Sequence, residues 1–151
     1  MSRSGEGHRI VAFYEGSAPD DRGRLIEEIL RFDDKRLEDV HDFIQWLFPL
    51  PERSGANPAA PILDDYAIEA FHVRPDLRVA LRRSFDRMLA FYGFEWSGDR
   101  IVKNPSFAER SGWLSPGNHN HLRLTRILRS LSLLGEAQAT RVLFDALSDI
   151  Y

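Results

Sequence analysis

The sequence contains no cysteine among its 151 residues, which excludes disulfides, thiolate metal sites, iron–sulfur clusters and cysteine nucleophiles. Its apolar runs are only a few residues long, so no transmembrane segment is expected. The first eight residues hold no apolar stretch and do not form a signal peptide. A cytoplasmic location is therefore expected. Lysine is also scarce, with Lys35 and Lys103 against 18 arginines.

The familiar catalytic and nucleotide-binding motifs are absent as well. We find no phosphate-binding loop, no dinucleotide-binding glycine pattern, no Gly-x-Ser-x-Gly elbow and no His-Glu-x-x-His helix. No catalytic residue, cofactor or metal is assigned from the sequence. Because 43% of the residues are hydrophobic and 28% are charged, the composition is that of an ordinary soluble globular protein of one domain.

Charge is distributed unevenly along the chain. Residues 1–72 hold 8 basic and 15 acidic side chains, whereas residues 73–129 hold 11 basic and 5 acidic ones. One interpretation is that the two segments attract each other through surface ion pairs. The other is a positive surface for an anionic ligand or a nucleic acid, and the overall acidity makes nucleic acid an unexpected partner.

Helical spacing of apolar residues dominates the pattern and predicts an all-α fold, a single compact bundle of about six helices. Residues 1–9 are expected to be a flexible N-terminus, and residues 10–151 form the domain. The central helices are predicted near 36–48, 75–92 and 121–134. Two long irregular loops are predicted, at 50–61 and 94–117, the latter with a small hairpin across Ser97-Gly98-Asp99. The predicted core consists of Leu37, Ile44, Leu47, Leu81, Phe85, Met88, Leu124, Ile127, Leu128 and Leu131.

Polar residues cluster on two of the predicted helices. His41 is placed among apolar neighbours, so it is expected to face inward and to need hydrogen-bond partners. The start of the helix at 121 supplies backbone N–H groups, and Arg123 and Arg126 follow within the first turns. His119 and His121 are best explained by a capping role, although a metal site with His41 is an alternative.

Three segments in this order resemble the conserved domain of the opioid growth factor receptor family. They are LEDVHDFIQWLFP at residues 37–49, MLAFYG at 88–93 and NHNHLRLTRILRSL at 118–131. Vertebrate members are described as nuclear-associated receptors for the opioid peptide Met-enkephalin that restrain cell growth, and they carry long C-terminal extensions. The resemblance implies a receptor-like binding domain and supplies no catalytic residues. A compact, arginine-rich chain resembles a bacterial member, for which enkephalin signalling is not expected.

We therefore predict a non-enzymatic module that binds a small polar or anionic ligand or a peptide. Its predicted site residues are His41, Gln45, Trp46, Asn57, Asn118, His119, Asn120, Arg123 and Arg126. An enzyme with a histidine general base and a weak phosphate- or nucleic-acid-binding protein are the alternatives. His41 and residues 118–126 are expected to approach each other, either as a binding site or as a polar network that only locks two helices together.

Overall fold

The architecture is given by a computed structural model, which describes residues 4–150. Over that range the chain forms nine α-helices, one 3₁₀ turn and one two-stranded antiparallel sheet. It divides into two compact units, one ending at Ser84 and the other beginning at Phe85. The predicted all-α fold is confirmed as a mainly helical one, although this range holds nine α-helices where about six were predicted and also a small β-hairpin.

The first unit is built from short helices and the start of a long one. They are α1 (Ser4–Glu15), α2 (Ile26–Leu30), α3 (Asp34–Asp39), α4 (Ile44–Leu47), α5 (Asp65–Val73) and α6 (Pro75–Tyr92), which continues into the second unit. Asp33 and Asp64 each cap a helix, because their carboxylates accept the backbone N–H three residues on. Pro75 occupies the first turn of α6, as predicted, where its missing N–H costs nothing.

Within residues 1–9, which were expected to be flexible, α1 begins at Ser4, and the flexibility itself stays a prediction. Residues 1–3 lie outside the described range. Gly7 explains the early start: its N–H donates to Asp64 Oδ2 at 3.1 Å. A Cβ at Gly7 would lie 1.9 Å from the Asp64 carboxylate, so the approach of α1 to α5 depends on glycine.

The single helix predicted over 36–48 is two helices with a break at residues 40–43. Val40 is extended, with φ −91° and ψ 131°. The carbonyls at the break are held by side chains, since Gln45 bonds the oxygen of His41 and Asn57 bonds that of Asp42. The predicted inward orientation of His41 is also wrong, because the break leaves this residue exposed.

The second unit contains the end of α6, a hairpin and two longer helices. Its elements are β1 (Phe94–Ser97), β2 (Arg100–Lys103), α7 (Phe107–Arg110), a 3₁₀ turn (Ser111–Leu114), α8 (Asn120–Leu133) and α9 (Ala137–Ser148). The predicted hairpin is confirmed, with Ser97 paired to Arg100. The rest of segment 94–117 was predicted to be irregular. That prediction is wrong in part, because the segment forms α7 and the 3₁₀ turn.

Nine of the ten predicted core residues are buried, and the exception is Leu128, which is half-buried. Aromatic rings fill much of both interiors. In the first unit Tyr14 is buried and donates to the backbone oxygen of Leu47 at 2.5 Å. Burial raises the pKa of this phenol, which therefore stays protonated.

No helix in residues 4–150 is both long enough and apolar enough to cross a membrane.

Candidate functional site

The nine predicted site residues are divided between the two units. The first unit holds His41, Gln45, Trp46 and Asn57, and the second holds Asn118, His119, Asn120, Arg123 and Arg126. The expected approach of His41 to residues 118–126 stays a prediction.

Asn57 lies in the predicted loop before α5 and is buried there, although most of its loop neighbours are exposed. Its Nδ2 donates to the backbone oxygen of Asp42 at 3.0 Å and lies 3.5 Å from Asp21 Oδ1. Its own N–H donates to Ser54 Oγ at 3.1 Å, which fixes the turn. This side chain therefore holds the loop against the break between α3 and α4.

Trp46, in α4, also contacts Asp21. Its indole N–H donates to Asp21 Oδ1 at 2.5 Å, and its ring centroid is 5.1 Å from that of Phe13. The guanidinium of Arg9 lies 5.3 Å from the indole ring. Trp46 is 1% exposed, so its ring is part of the interior of the first unit. We refer to Asp21, Asp42, Gln45, Trp46 and Asn57 as the Asn57 cluster.

Gln45 contributes an acceptor atom that the fold does not use. Its amide nitrogen donates to the backbone oxygen of His41 at 3.2 Å, which fixes which way the amide points. Its Oε1 is buried and has no hydrogen-bond partner among the described residues. Gln45 as a whole is 4% exposed. A buried acceptor left in this state costs about 1–3 kcal/mol.

Ion pairs surround the Asn57 cluster and involve residues that sequence reasoning missed. The buried carboxylate of Asp20 accepts from the backbone N–H groups of Arg22 and Arg24, each at 2.9 Å. Arg24 pairs with Asp20 at 2.7 Å and with Asp42 at 2.9 Å. Burial alone would lower the pKa of Arg24, but these two carboxylates more than offset it and raise that pKa. The run DDRGR at residues 20–24 favours a turn, and it was the sequence signal that could have identified these ion-paired residues.

The loop that carries Asn57 is fastened to α1 by a second ion pair. Both guanidinium ends of Arg53 donate to the Glu6 carboxylate at 3.0 Å, and the N–H of Ile62 donates to the same carboxylate at 3.0 Å. The hydrogen bond from Arg53 holds the pKa of Glu6 below its ordinary value. The Asn57 cluster therefore lies beside a loop that is held at both ends.

In the second unit, the start of α8 forms a polar network. Asn118 Oδ1 accepts from the backbone N–H of Asn120 at 2.9 Å and from its side-chain amide at 3.0 Å. Asn120 Oδ1 accepts from the hydroxyl of Tyr92 at 3.1 Å and from Arg123 at 3.4 Å. Asn120 and Arg123 are both buried. Within this unit the network joins α6 to α8, while His119 is exposed and Arg126 is half-buried.

The histidines are placed at the surface or near it. His8, His41, His72 and His119 are exposed, and His121 is half-buried. His121 donates from Nε2 to the backbone oxygen of Trp113 at 2.7 Å, which uses that nitrogen in a structural bond. Within residues 4–150, no three His, Asp or Glu side chains are grouped so that they could hold a metal ion. This placement does not favour a buried histidine general base.

Some basic side chains of the second charge segment pair with acidic residues of the first. Arg74 pairs with Glu15 at 2.7 Å, and Arg83 pairs with Glu27. Both pairs lie in the first unit and are exposed to solvent, so screening by water keeps their contribution to stability small. The predicted attraction between the charge segments is confirmed for these pairs.

Comparison with protein families gives one match that covers most of the chain. The model described as "Opioid growth factor receptor (OGFr) conserved region" matches residues 8–146. This range includes all nine predicted site residues, begins within α1 and ends within α9. No solved structure matches the chain at a significant level.

Curated relatives carry the corresponding names. The opioid growth factor receptor of Rattus norvegicus is 42% identical over 120 residues, which are 75% of this chain and 20% of that protein. The opioid growth factor receptor-like protein 1 of Xenopus tropicalis is 41% identical over 118 residues, 75% of this chain and 23% of that protein. The human receptor is 39% identical over 120 residues. The chain thus spans about a fifth of the length of the curated relatives it matches.

Proposed function

The chain belongs to the opioid growth factor receptor conserved-region family, and from that premise we propose that it is a non-enzymatic module that binds a peptide or a small polar ligand. The relatives are named receptors for an opioid growth factor, which supports a peptide as the first ligand to test. A bacterial origin and a cytoplasmic location stay part of the proposal.

The observation that carries this proposal is the buried acceptor of Gln45. Native proteins leave few buried polar atoms without a partner, and each such atom needs a reason. The amide cannot be turned to remove the problem, because its nitrogen is required by the carbonyl of His41. A donor on a ligand, such as a peptide N–H or an amine, would supply the missing hydrogen bond.

The other members of the Asn57 cluster favour the same ligand chemistry. Asp21 and Asp42 add carboxylate oxygens, which accept hydrogen bonds and attract positive charge. Trp46 donates to the carboxylate of Asp21, whereas the carboxylate of Asp42 is held by Arg22 and Arg24. His41, the residue before Asp42, is exposed. We expect the first unit to bind the amine or amide end of a ligand.

The predicted residues of the second unit have the opposite preference. Arg123, Arg126 and the N–H groups at the start of α8 are donors, suited to a carboxylate or phosphate. Asn118, His119 and Asn120 surround that start. We propose that these five residues contact an acidic group of the ligand, and the alternative is that their network with Tyr92 is only structural.

The experiment combines native mass spectrometry of the freshly purified full chain with calorimetric titration of Met-enkephalin. The informative variant is Gln45→Leu, which removes the unused acceptor and the donor to His41 and places an apolar side chain of similar size in the same buried position. Its matched control is Gln138→Leu, which alters the exposed glutamine of α9. Free energies of unfolding are measured for all three proteins.

A retained molecule or a heat of binding that is lost in Gln45→Leu and kept in Gln138→Leu would support the proposal. Stability should change little in Gln45→Leu, since removing an unsatisfied acceptor offsets the loss of the bond to His41. A wild-type chain with neither a retained molecule nor measurable binding of the peptide would contradict it. Binding that is equal in both variants would remove Gln45 from the site.

A further inference from the structure

The loop between α4 and α5 is closed at its base. The N–H of Leu63 donates to the carbonyl of Leu50 at 2.9 Å, and both residues are buried. A surface loop whose two ends are held side by side in this way is an Ω-loop. Three prolines lie between the ends and fix φ at their positions, which suits the segment to moving as one body. We refer to residues 50–63 as the Ω-loop.

An arginine of the Ω-loop fastens it to α1. The guanidinium of Arg53 donates to the carbonyl of Ala60 at 3.1 Å, so the loop itself holds this side chain in position. Both ends of the same guanidinium donate to the Glu6 carboxylate at 3.0 Å. We refer to the Glu6–Arg53 pair as the latch. Because both side chains are partly exposed, the latch is weak enough to open and close.

An asparagine of the Ω-loop reaches the break between α3 and α4. The amide of Asn57 donates to the carbonyl of Asp42, and the amide of Gln45 donates to the carbonyl of His41, the preceding residue. Asn57 and Gln45 therefore bind consecutive carbonyls of the same break. Gln45 Oε1 is buried in this arrangement, so a ligand reaches it only after part of the first unit has moved.

The contacts of Asn57 can be released without leaving their partners unsatisfied. Arg24 Nη2 lies 3.4 Å from the Asp42 carbonyl, so a second donor is present when Asn57 withdraws. Asp21, which lies 3.5 Å from the Asn57 amide, keeps the hydrogen bond from Trp46. Buried carbonyls and carboxylates that retain a donor avoid the cost of an unpaired acceptor. Withdrawal of the Ω-loop is therefore a small change in hydrogen bonding.

We propose that the Ω-loop is a lid over the Gln45 acceptor, and that the latch between Glu6 and Arg53 keeps it closed until a ligand enters. This inference rests on the proposed function, in which Gln45 accepts a hydrogen bond from the ligand. Loops that open and close over a site commonly set the rates at which molecules enter and leave it. The base at Leu50 and Leu63 stays fixed while the rest of the loop moves.

Opening of the lid is measured without a ligand, by limited digestion of the full chain with subtilisin and mass spectrometry of the first products. Proteolysis of this kind tracks the population of the open form. Glu6→Ala removes the latch and the acceptor of the Ile62 N–H. It should raise cleavage within residues 51–62 by about two- to tenfold, the factor that corresponds to one intramolecular hydrogen bond.

Glu15→Ala is the matched control, because Glu15 also lies on α1 and its ion pair is with Arg74, outside the Ω-loop. Cleavage within residues 51–62 should be the same in this variant as in wild type. Equal cleavage of wild type and Glu6→Ala would overturn the lid.

A reversible lock tests whether the lid controls access to the site. Because the chain has no cysteine, a bifunctional maleimide with a cleavable linker reacts only with the two thiols of Glu6→Cys/Arg53→Cys. The linked protein should lose calorimetric binding of Met-enkephalin, and cleavage of the linker should restore it. A latch with a purely structural role predicts the opposite, because the linker replaces the contact that was removed. Binding by the linked protein equal to that of the unlinked one overturns the lid.

The two measurements separate this inference from the proposed function. A wild-type chain that binds no peptide contradicts the proposed function, whereas cleavage that rises in Glu6→Ala and not in Glu15→Ala still supports the lid. A chain that binds the peptide with the loop linked contradicts the lid alone. Far-ultraviolet circular dichroism confirms that each variant is folded before either measurement.

Discussion

Asn57 donates a 3.0 Å hydrogen bond from its side-chain amide to the backbone oxygen of Asp42, which lies fifteen positions earlier in the chain. Asp42 stands in the break between α3 and α4, where no helix bond is available to this carbonyl. The loop before α5 therefore satisfies a backbone group that the break exposes. This bond connects the loop to the helix that carries Gln45 and Trp46.

We expect Asn57→Ala to destabilise the protein by about 0.5–1.5 kcal/mol, the usual contribution of one intramolecular hydrogen bond. Chemical denaturation measures this loss. Ala59→Ser is the control, because Ala59 is an exposed residue of the same loop and should change stability little. Equal stability of Asn57→Ala and wild type would show that Arg24, whose Nη2 already lies 3.4 Å from the Asp42 oxygen, satisfies this carbonyl without Asn57.

The longer helices could be predicted from the sequence because their bounds depend on local signals. In α6 the apolar spacing, Pro75 at the start and Gly93 after the end all agree, and the structure has this helix over Pro75–Tyr92. In α8 the spacing and Gly135 agree in the same way. Local consistency of this kind needs no knowledge of distant contacts.

The break at residues 40–43 could not be predicted for the opposite reason. Leu37 and Ile44 keep helical spacing and both are buried, so the pattern looks continuous. The break depends on Asn57, which is distant in sequence. The early start of α1 was hidden by Gly5 and Gly7, which disfavour helix, although the contact of Gly7 with Asp64 requires a glycine.

The candidate site was predicted in part for similar reasons. Trp46 and Asn57 were both predicted as site residues, and the structure connects both to Asp21. Asp21 itself was missed, because its role depends on a contact 25 residues away in the chain. The inward orientation of His41 was predicted from a continuous helix. It is wrong because the helix is interrupted at residues 40–43.

Leu131 and Leu128 provide a matched comparison within α8. Leu131 is 0% exposed, whereas Leu128 is half-buried. We expect Leu131→Ala to cost about 2–5 kcal/mol of unfolding free energy, the range for a central leucine. Leu128→Ala should cost less than about 2 kcal/mol, because part of its side chain already contacts water. Equal losses in denaturant titrations would mean that Leu128 belongs to the core.

The Glu6–Arg53 pair predicts an acid-dependent contribution to stability. The folded-state pKa of Glu6 lies below its ordinary value of 4.5, first because of the hydrogen bond from Arg53. The ionised carboxylate therefore stabilises the fold above that ordinary value, and the stabilisation is lost as the pH falls through the folded-state pKa. Because both side chains are partly exposed, we expect an effect of no more than about 1 kcal/mol.

The measurement compares the unfolding free energy of wild type and Glu6→Gln as a function of pH. The difference between the two should be constant near neutral pH and should shrink in acid. The amide resonance of Ile62, whose N–H donates to Glu6, reports the same titration by NMR. Glu69→Gln, an exposed change on α5, is the control. Parallel curves for wild type and Glu6→Gln would contradict the assigned ion pair.

Gly93 ends α6 with φ +89°, a conformation that other residues rarely adopt. A Cβ at this position would lie 2.9 Å from the Cα of Phe107, which is backbone and cannot move aside easily. Gly98, in the hairpin turn, has φ +63° but open space around its Cα. The two glycines therefore separate backbone strain from steric contact within one unit.

We expect Gly98→Ala to cost about 1 kcal/mol, from the positive φ alone. Gly93→Ala should cost clearly more, because the methyl group adds a collision with α7 to the same strain. Thermal and chemical unfolding of the two variants measure the difference directly. Equal losses would mean that the contact of the added methyl group with Phe107 costs no free energy of unfolding, because α7 can move without loss of stability.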